Sequence, residues 1–431
     1  MSAPQAIGSA LRSIVIVGAG QTGAVAARTL RELGFTGSLT LVGEETHLPY
    51  ERPPLSKEAL NAASAEPAGQ LHPAQFYTGL NIVHLPGTLA HTLDTTSRRV
   101  ILDNDQSLEY DACLIATGGR ARQLSLLPES LPTVHTLRTR DDATALGSAL
   151  VPGTRLAVVG GGFLGLETAW SAKTLGAEVT VLEGSQALLA RALPPMLSAW
   201  LLERARALGV NVLLDAAVSS AIAPATERAG TTLGLIDGRT VLADQILVAI
   251  GLTPETRLAR EAGLAICATT HGIAVDADCR SSDPHVWAAG DCASQRPTPQ
   301  AAAQRVESWQ NANTQAAVAA ASMLGAARPA VPYPWFWTDQ MGCNIQILGL
   351  AQPDLAYIVR GDPDPRADIP RFICLGLLDG VPVHGAAINA GGDLRALRPL
   401  FERGRPIDPT AFADPAMALK PLIKSCLQPA S

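Results

Sequence analysis

Two glycine patterns in this chain have the spacing with which a backbone loop can hold the phosphates of a dinucleotide. Both are G-x-G-x-x-G sequences, formed by Gly18, Gly20 and Gly23 and by Gly160, Gly162 and Gly165. In such a pattern the first glycine permits a tight turn and the second lets the backbone approach a pyrophosphate. The third allows a helix to pack closely on a strand. The pyrophosphate then meets free N–H groups at the positive end of that helix. The sequence therefore predicts two dinucleotide sites.

An acidic residue follows each glycine pattern at a distance suited to binding a ribose. Glu44 or Glu45 closes the second strand of the first copy, and Glu183 closes that of the second. An acid there accepts hydrogen bonds from the 2′-hydroxyl of NAD and repels the 2′-phosphate of NADP. Arg191, a little further along, weakens that preference. We therefore expect NADH rather than NADPH at the second site.

Each glycine pattern lies between a predicted strand and a predicted helix. The strands are the β-branched runs Ser13–Val17 and Arg155–Val159, and second strands follow at Leu39–Val42 and Glu178–Leu182. A strand that runs into glycines and then a helix is the opening of a βαβ unit. Because all these features occur twice, ordinary turn glycines of an α/β fold are the weaker interpretation. Two such units imply that one dinucleotide can be a flavin and the other can supply hydride. The nicotinamide C4 would have to come within about 3–3.5 Å of the flavin N5.

The order of the elements predicts two nested Rossmann-like domains in an α/β fold. The first domain would cover residues 1–122 and resume at 254–326, because Val286–Asp291 is another buried strand that ends in Gly-Asp. The second would cover 123–253. A small-residue helix is predicted at 312–325, before a proline-rich boundary.

The tail, residues 327–431, is predicted to form a small α+β C-terminal domain. It contains short apolar runs at Asn344–Leu348, Arg371–Leu375 and His384–Ile388, which are typical of strands. It ends in a polar segment interrupted by prolines, which we expect to be helical.

Composition excludes several classes of protein. The net charge of −6 argues against sequence-independent nucleic-acid binding, which needs a basic surface. No apolar, uncharged run reaches the ~18 residues of a membrane-spanning helix. The opening MSAPQAIGSALR lacks the charged start and apolar middle of a signal peptide. The seven cysteines form no CxxC and no histidines pair at i, i+4, so we expect reduced cytoplasmic thiols and no metal site.

The sequence contains five further motifs in addition to the two glycine patterns. They are PYERPPLSK at 49–57, ATG at 116–118, AGD at 289–291, RVESW at 305–309 and PWFWTDQ at 334–340. Together they resemble the ferredoxin reductases of bacterial aromatic-ring dioxygenase and cytochrome P450 systems, of the biphenyl dioxygenase reductase and putidaredoxin reductase type. The resemblance covers nearly the whole chain. The combination of the first and last motifs is far more specific than either glycine pattern.

The resemblance implies a glutathione-reductase-type fold with an FAD domain, an inserted NADH domain and a C-terminal domain. Asp291 would meet the ribityl chain or pyrophosphate of FAD, and Glu167 would approach the nicotinamide. The full set of implied cofactor-binding residues is Gly18, Gly20, Gly23, Glu44, Glu45, Arg52, Pro53, Lys57, Thr117, Gly118, Arg122, Gly160, Gly162, Phe163, Leu164, Gly165, Glu183, Arg191, Gly251, Gly290, Asp291, Glu307, Ser308 and Trp309.

Lys57, Glu167 and Trp337 are the candidate catalytic residues. The sharper hypothesis is that Lys57 and Glu167 pair beside the flavin N5, where a fixed cation would stabilise negative charge on the reduced ring. Lys57 could instead be a solvated surface lysine. Glu167, two residues past Gly165, could instead interact favourably with the helix dipole in the first turn of its helix.

The tryptophans of the last motif stand out in a chain that is only 4% aromatic. Trp335 and Trp337 could form part of a core of the third domain. Alternatively, Trp337 could lie between the flavin and a partner, where it would shorten the electron path.

The absence of cysteine from residues 44–60 indicates how electrons leave the flavin. Disulfide reductases of this fold carry a redox-active cysteine pair in that region, which Arg52 to Lys57 occupy here. The electrons must therefore go to an outer-sphere acceptor, which the resemblance identifies as a [2Fe–2S] ferredoxin that feeds an oxygenase. Such partners are usually acidic, so local basic residues would steer their encounter with the reductase.

Other functions fit the same fold and stay open at this point. A rubredoxin reductase, a monodehydroascorbate reductase or an NADH oxidase would use the same two dinucleotides. A flavoprotein resembling apoptosis-inducing factor would act partly by binding protein or DNA, against which the acidic charge argues. The leading interpretation is an FAD-dependent NADH:ferredoxin oxidoreductase of aromatic hydrocarbon catabolism. Its oligomeric state is open.

Overall fold

The computed structural model describes residues 11–61, 69–127, 131–222, 230–298 and 300–428. The predicted absence of a signal peptide concerns an N-terminal segment that lies almost wholly outside the described residues. The helices, in chain order, are α1 (Gln21–Glu32), α2 (Ala74–Gly79), α3 (Arg140–Ala149), α4 (Phe163–Thr174), α5 (Pro195–Ala207), α6 (Arg257–Glu261), α7 (Trp309–Leu324), α8 (Gly391–Arg403), α9 (Pro409–Ala413) and α10 (Leu419–Leu427). Two short 3₁₀ helices cover Pro53–Ser56 and Glu58–Leu60.

The strands alternate with helices around each glycine pattern and follow one another in longer runs elsewhere. In chain order they are β1 (Ser13–Val17), β2 (Ser38–Val42), β3 (Ile82–Leu85), β4 (Ala90–Asp94), β5 (Arg99–Leu102), β6 (Ser107–Glu109), β7 (Ala112–Ile115), β8 (Gly119–Ala121), β9 (Val134–His135), β10 (Arg155–Val159), β11 (Glu178–Leu182), β12 (Asn211–Leu213), β13 (Val218–Ile222), β14 (Thr231–Leu235), β15 (Thr240–Ala243), β16 (Gln245–Val248), β17 (Leu252–Pro254), β18 (Ile273–Val275), β19 (Val286–Ala288), β20 (Ala293–Gln295), β21 (Trp335–Gln340), β22 (Cys343–Gly349), β23 (Ala356–Asp362), β24 (Arg371–Leu378) and β25 (Val381–Ile388).

The chain divides into two compact units. The first holds the described parts of Met1–Pro54, Glu66–Arg120 and Leu252–Pro332, and the second holds those of Leu55–Ala65, Ala121–Gly251 and Tyr333–Ser431. The α/β class with parallel sheets is confirmed. The three-domain boundaries expected from the sequence stay a prediction.

The first unit is built on a five-stranded parallel sheet in the order β19–β7–β1–β2–β3. Successive residues of β1 point to opposite faces of this sheet. Ile14 and Ile16 join one buried cluster with α1 and α7, whereas Val15 and Val17 join another on the opposite face. A parallel sheet covered on both faces explains why β1 reads as a continuous apolar run.

The second unit contains two large sheets. One is parallel, in the order β12–β11–β10–β16–β9, and repeats the strand–glycine–helix arrangement with β10 and α4. The other is antiparallel, in the order β21–β22–β25–β24–β23, and packs its own apolar cluster against α8. The three tail strands predicted from the sequence are present and longer than expected, whereas β21 and β23 were not predicted.

Two boundaries differ from the sequence-based expectation. The strand expected at Val286–Asp291 ends at Ala288, because Gly290 has a positive φ of 81° that leaves the extended conformation. The helix expected at 312–325 begins earlier, at Trp309, where the side chain of Ser308 caps it. No helix among the described residues is long and apolar enough to cross a membrane.

Candidate functional site

Of the three glycines in the loop of the first unit, only Gly20 has room for a side chain. A Cβ on Gly18 would lie 2.3 Å from the carbonyl oxygen of Ala116, and one on Gly23 would lie 1.9 Å from that of Gly18. Gly18 also has a φ of 112°, which other residues rarely adopt. A Cβ on Gly20, in contrast, would meet no described atom within 4 Å. The space beside Gly20 at the start of α1 is therefore open.

The glycine loop of the second unit has the same geometry. Gly160 has a φ of 112°, and its Cβ would lie 2.4 Å from the carbonyl oxygen of Ala249. A Cβ on Gly165 would lie 2.1 Å from the carbonyl oxygen of Gly160. Gly162 again faces open space among the described residues. Each loop thus provides one open backbone position at a helix N-terminus.

These loops fit the pyrophosphate of a dinucleotide. The N-cap residue of each helix is a glycine, Gly20 or Gly162, which has no side chain to cap it, so the first N–H groups of the helix remain available to an anion. Both loops therefore suit a dinucleotide, while the assignment of FAD to the first and NADH to the second comes from the resemblance.

Both candidate acids of the first unit are paired with arginines. Glu45 Oε1 accepts a hydrogen bond of 2.7 Å from Arg52 and Oε2 accepts one from the hydroxyl of Tyr50. Burial would lower the pKa of Arg52, but Tyr50 and Glu45 outweigh it, so the pKa is raised and the guanidinium stays charged. Glu44 pairs with Arg120 at 3.0 Å near solvent. The choice between Glu44 and Glu45 as the ribose ligand thus stays open.

Several other predicted FAD residues hold their own loops in place. Thr117 donates its hydroxyl to the carbonyl oxygen of Glu255 at 2.7 Å. The N–H of Gly290 donates to Oε1 of Gln315 at 2.8 Å. These contacts fix the loops that follow β7 and β19, two neighbouring strands of the parallel sheet.

The RVESW segment is also locally ordered. Glu307 pairs with Arg305 at 2.5 Å, and Ser308 accepts the N–H of Asn311 as the cap of α7. Trp309 donates its indole N–H to Oε1 of Glu51 at 3.0 Å, which joins this segment to the PYERPPLSK motif. The cofactor roles of these residues, and of Pro53, Gly118 and Asp291, stay predictions.

Glu183 is fixed at the second glycine loop. Its Oε2 accepts the N–H of Gly161 at 2.7 Å, and its Oε1 accepts the N–H of Ser185 at 2.8 Å. Arg191 is exposed, on the segment that follows β11. The backbone N–H of Arg122 donates to the carbonyl oxygen of Gly251 at 2.9 Å.

Phe163 and Leu164 open α4 immediately after Gly162. The ring of Phe163 packs on Phe336 with a centroid separation of 4.6 Å, and its carbonyl oxygen accepts a hydrogen bond from Gln340 at 3.0 Å. The first turn of α4 is thereby held against β21.

A charged cluster lies in the second unit where α4 meets β21 and the 3₁₀ segments. Lys57 Nζ lies 2.8 Å from Oδ2 of Asp339 and 3.5 Å from Oε1 of Glu167. The side chain of Lys57 is only 19% exposed, so it is not a solvated surface lysine. Burial would lower the pKa of Lys57, but Glu167 and Asp339 outweigh it and raise that pKa. The ammonium group is therefore held charged between two carboxylates.

Glu167 is the fifth residue of α4 and lies in its second turn, not in the first turn that the helix-dipole interpretation requires. Its Oε2 accepts a hydrogen bond of 2.5 Å from Ser56, and its Oε1 accepts one of 2.6 Å from Thr338. The helix-dipole interpretation therefore does not describe this residue. The carboxylate is instead stabilised by hydroxyl groups inside the unit.

A cleft of about 390 Å³ opens beside this cluster. Lys57, Glu167 and Asp339 line it together with Glu58 and Trp170. The cleft connects the charged cluster with solvent.

Trp335 and Trp337 stack on one another with a centroid separation of 5.1 Å and an interplanar angle of 19°. They lie two residues apart on β21, so both side chains face the same side of the strand. Both are half-buried. The core-packing and electron-path interpretations both stay predictions.

Three residues of the cluster were missed from the sequence: Ser56, Thr338 and Asp339. They stand inside the two most specific motifs, but nothing in their local pattern indicates that residues more than 280 positions apart would meet. Within the described ranges, no three His, Cys, Asp or Glu side chains group as they would around a metal ion.

Comparison with known families decides the classification. Residues 12–316 match the family of pyridine nucleotide-disulphide oxidoreductases. The chain belongs to this family. Residues 335–423 also match the C-terminal domain described for reductases. This oxidoreductase nevertheless lacks cysteine in residues 44–60, and each of its seven cysteines is a free thiol.

Its relatives include reductases of oxygenase systems. The chain is 40% identical over 392 residues to a protein named 3-phenylpropionate/cinnamic acid dioxygenase ferredoxin–NAD(+) reductase component, from Photorhabdus laumondii subsp. laumondii; the match covers 90% of this chain and 96% of that one. Putidaredoxin reductase, solved in a covalent complex with putidaredoxin, is 31% identical with a TM-score of 0.88. That match covers 96% of this oxidoreductase and 99% of the solved chain.

A third relative is the ferredoxin reductase for the CYP199A2 system from Rhodopseudomonas palustris. It is 32% identical with a TM-score of 0.88, and the match covers 95% of this oxidoreductase and 99% of that chain. The resemblance inferred from the motifs is confirmed.

Proposed function

We propose that this oxidoreductase is an FAD-dependent NADH:ferredoxin reductase that supplies electrons to an oxygenase. The observation that carries the proposal is the segment from Arg52 to Lys57, which has no cysteine and ends in a lysine paired with Glu167. A family member without a thiol in that region needs an acceptor outside the protein. Its relatives are named as the ferredoxin–NAD(+) reductase component of a dioxygenase, as putidaredoxin reductase and as the ferredoxin reductase for the CYP199A2 system.

The reaction balances as a conversion of an electron pair into single electrons. NADH gives up a hydride, which is a proton and two electrons, and leaves as NAD⁺. Two ferredoxins each take one electron, and one proton is released to solvent. Bound FAD would supply the ability to take two electrons together and release them singly.

The residues of this chain would bind and orient the reactants. The open positions at Gly20 and Gly162 would admit the pyrophosphates, and Glu183 would favour NADH over NADPH. Lys57 would present a fixed positive charge to the flavin ring, held in place by its carboxylate neighbours. Trp337 would lie on the route to the ferredoxin. We place the enzyme in the cytoplasm, in the catabolism of aromatic compounds.

The decisive experiment follows the flavin absorbance of the purified protein under anaerobic conditions. NADH should bleach the flavin faster than NADPH, and a [2Fe–2S] ferredoxin should then restore it. Faster turnover with rubredoxin, ascorbate radical or oxygen would favour one of the alternative functions on this fold. A protein without bound flavin would contradict the proposal altogether.

Lys57→Met tests the role of the lysine, with Lys420→Met as an exposed control on α10. We expect the Lys57 variant to slow hydride transfer and the control to match the wild type. Unchanged hydride-transfer and reoxidation rates in Lys57→Met would refute the role of Lys57.

A further inference from the structure

The ammonium of Lys57 lies closer to Asp339 than to Glu167. Its distance to Asp339 Oδ2 is 2.8 Å, a normal charged hydrogen bond, whereas its 3.5 Å distance to Glu167 is at the outer limit for one. Glu167 is already satisfied by the hydroxyls of Ser56 and Thr338. Asp339 therefore makes the shorter of the two contacts that hold the ammonium in place.

Asp339 is itself held by both of its carboxylate oxygens. Oδ1 accepts the side-chain N–H of Asn344 at 2.8 Å, and Oδ2 accepts Lys57. Asp339 and Asn344 face each other in the β21–β22 pairing, next to the hairpin turn at Met341 and Gly342. The carboxylate cannot rotate without losing one of these partners, so the hairpin fixes the direction in which it holds the lysine.

The backbone of Asp339 connects the two carboxylates. Its N–H donates to Oε1 of Glu167 at 3.3 Å, beside the hydroxyl of Thr338. The hydroxyl of Thr338 in turn accepts a hydrogen bond of 2.7 Å from Gln340. One strand therefore orients Glu167 and Lys57 together.

The three charged groups differ in their access to solvent. The side chains of Glu167, Lys57 and Asp339 are 11%, 19% and 45% exposed, and all three line the cleft. Together the two carboxylates and the ammonium carry a net charge of −1. The ammonium is the member of this cluster that is proposed to face the flavin. Removing the charge of Asp339 would leave the lysine balanced by Glu167 alone.

We infer that Asp339 is a positioning residue that fixes Lys57 and lowers the electron affinity of the flavin that Lys57 faces. The inference rests on the proposed function, because the position of the flavin beside Lys57 is part of that proposal. A negative charge close to a redox centre opposes its reduction, and a positive charge favours it. Asp339 thus offsets part of the stabilisation that the positive charge of Lys57 gives to the reduced flavin. The electrons of the reduced flavin therefore remain available for transfer to ferredoxin.

The test compares Asp339→Asn with Lys57→Met in the flavin-loaded protein. The midpoint potential of the flavin, measured by anaerobic titration against a reference dye, should become more positive in Asp339→Asn and more negative in Lys57→Met. Opposite shifts from two residues in contact are not expected from general structural damage. Asp393→Asn is the matched control, since Asp393 is 46% exposed and pairs with Arg371 at 2.6 Å on the same unit. The midpoint potential of the flavin in Asp393→Asn should equal that of the wild type.

A second measurement follows Lys57 without depending on the flavin reaction. Trinitrobenzenesulfonate reacts with neutral amines, and peptide mass spectrometry reports the extent of labelling at Lys57 as the pH is raised. Asp339→Asn should be labelled at lower pH than the wild type, and Asp339→Glu, which keeps the charge, should recover part of the difference.

The outcomes separate this inference from the proposed function. If NADH does not reduce the wild-type flavin, the proposed function fails. If the wild type is reduced but Asp339→Asn matches Asp393→Asn in both measurements, the role of Asp339 is overturned. A labelling shift without a shift in potential would also overturn it, because Lys57 would then be positioned by Asp339 but remote from the flavin.

Discussion

Glu183 and Gly161 are joined by a hydrogen bond in which the glycine N–H donates to Oε2 of the carboxylate at 2.7 Å. The other oxygen is held by Ser185 through its N–H and its hydroxyl, at 2.8 and 2.6 Å. The carboxylate therefore cannot turn away from the glycine loop. A ligand that brought a phosphate to this position would meet a fixed negative charge.

Replacing Glu183 by glutamine should reduce the preference for NADH over NADPH. The repulsion of a 2′-phosphate is lost in the variant, and we expect the ratio of the two kcat/KM values to fall by about tenfold. Steady-state assays with both nucleotides measure that ratio. Glu203→Gln, at an exposed ion pair on α5, is the control. An unchanged ratio in Glu183→Gln would show that another residue sets the preference.

Gly162 and Gly165 should respond differently to alanine. The new Cβ at position 165 would lie 2.1 Å from a carbonyl oxygen, and we expect this overpacking to cost about 1–3 kcal/mol of unfolding free energy. The Cβ at position 162 points into open space, so the fold should stay intact while the nucleotide is obstructed. Thermal unfolding and NADH titration measure the two effects. Equal loss of stability in both variants would contradict this geometry.

Trp337→Ala should slow the reduction of ferredoxin and leave the bleaching of the flavin by NADH close to the wild-type rate. The reason is that only the outgoing electrons are proposed to pass this indole. Stopped-flow measurement of each half-reaction separates the two steps. Trp335→Phe, which keeps an aromatic ring at the neighbouring stacked position, serves as a comparison. The electron-path role is excluded if replacing both tryptophans leaves ferredoxin reduction unchanged.

The pair formed by Asp244 and Arg155 should make stability depend on acid pH. Arg155 donates to Asp244 Oδ1 at 2.5 Å and to Oδ2 at 3.0 Å, and these bonds hold the pKa of Asp244 below its usual value. Because the folded-state pKa is the lower one, the stabilisation is fully present above the unfolded-state pKa of about 3.9. It is lost as the pH falls through the folded-state pKa.

Asp244→Asn should therefore lower the unfolding temperature at neutral pH and differ little from the wild type in strong acid. Thermal unfolding at a series of pH values measures the difference. Asp393→Asn, at an exposed pair with Arg371, provides the comparison. A difference in unfolding temperature between Asp244→Asn and the wild type that increased as the pH fell would contradict this prediction.

Much of the fold could be read from local patterns. The runs at Ser13–Val17, Arg155–Val159 and Glu178–Leu182 form strands with the predicted limits, because each is buried on both faces and flanked by turn residues. Less could be read in the tail. β21 was missed because its aromatic and polar residues do not show a simple alternation, and β23 lies at the sheet edge with mostly half-buried or exposed side chains.

The candidate site was partly predictable. The pairing of Lys57 with Glu167 was anticipated, and the structure brings them within 3.5 Å. The part played by Asp339 was not, since it depends on the pairing of β21 with β22 and on the packing of β21 against α4. Such contacts follow from the tertiary arrangement rather than from any spacing along the chain.

By itself, the sequence determined the local backbone chemistry of this protein: two glycine turns, each between a buried strand and a helix, and a motif segment without a thiol. Those features depend on residues close together in the chain, where steric limits and hydrogen bonding act directly. Only the tertiary structure decided which carboxylate holds Lys57, because residues 57, 167 and 339 meet solely through packing between distant elements.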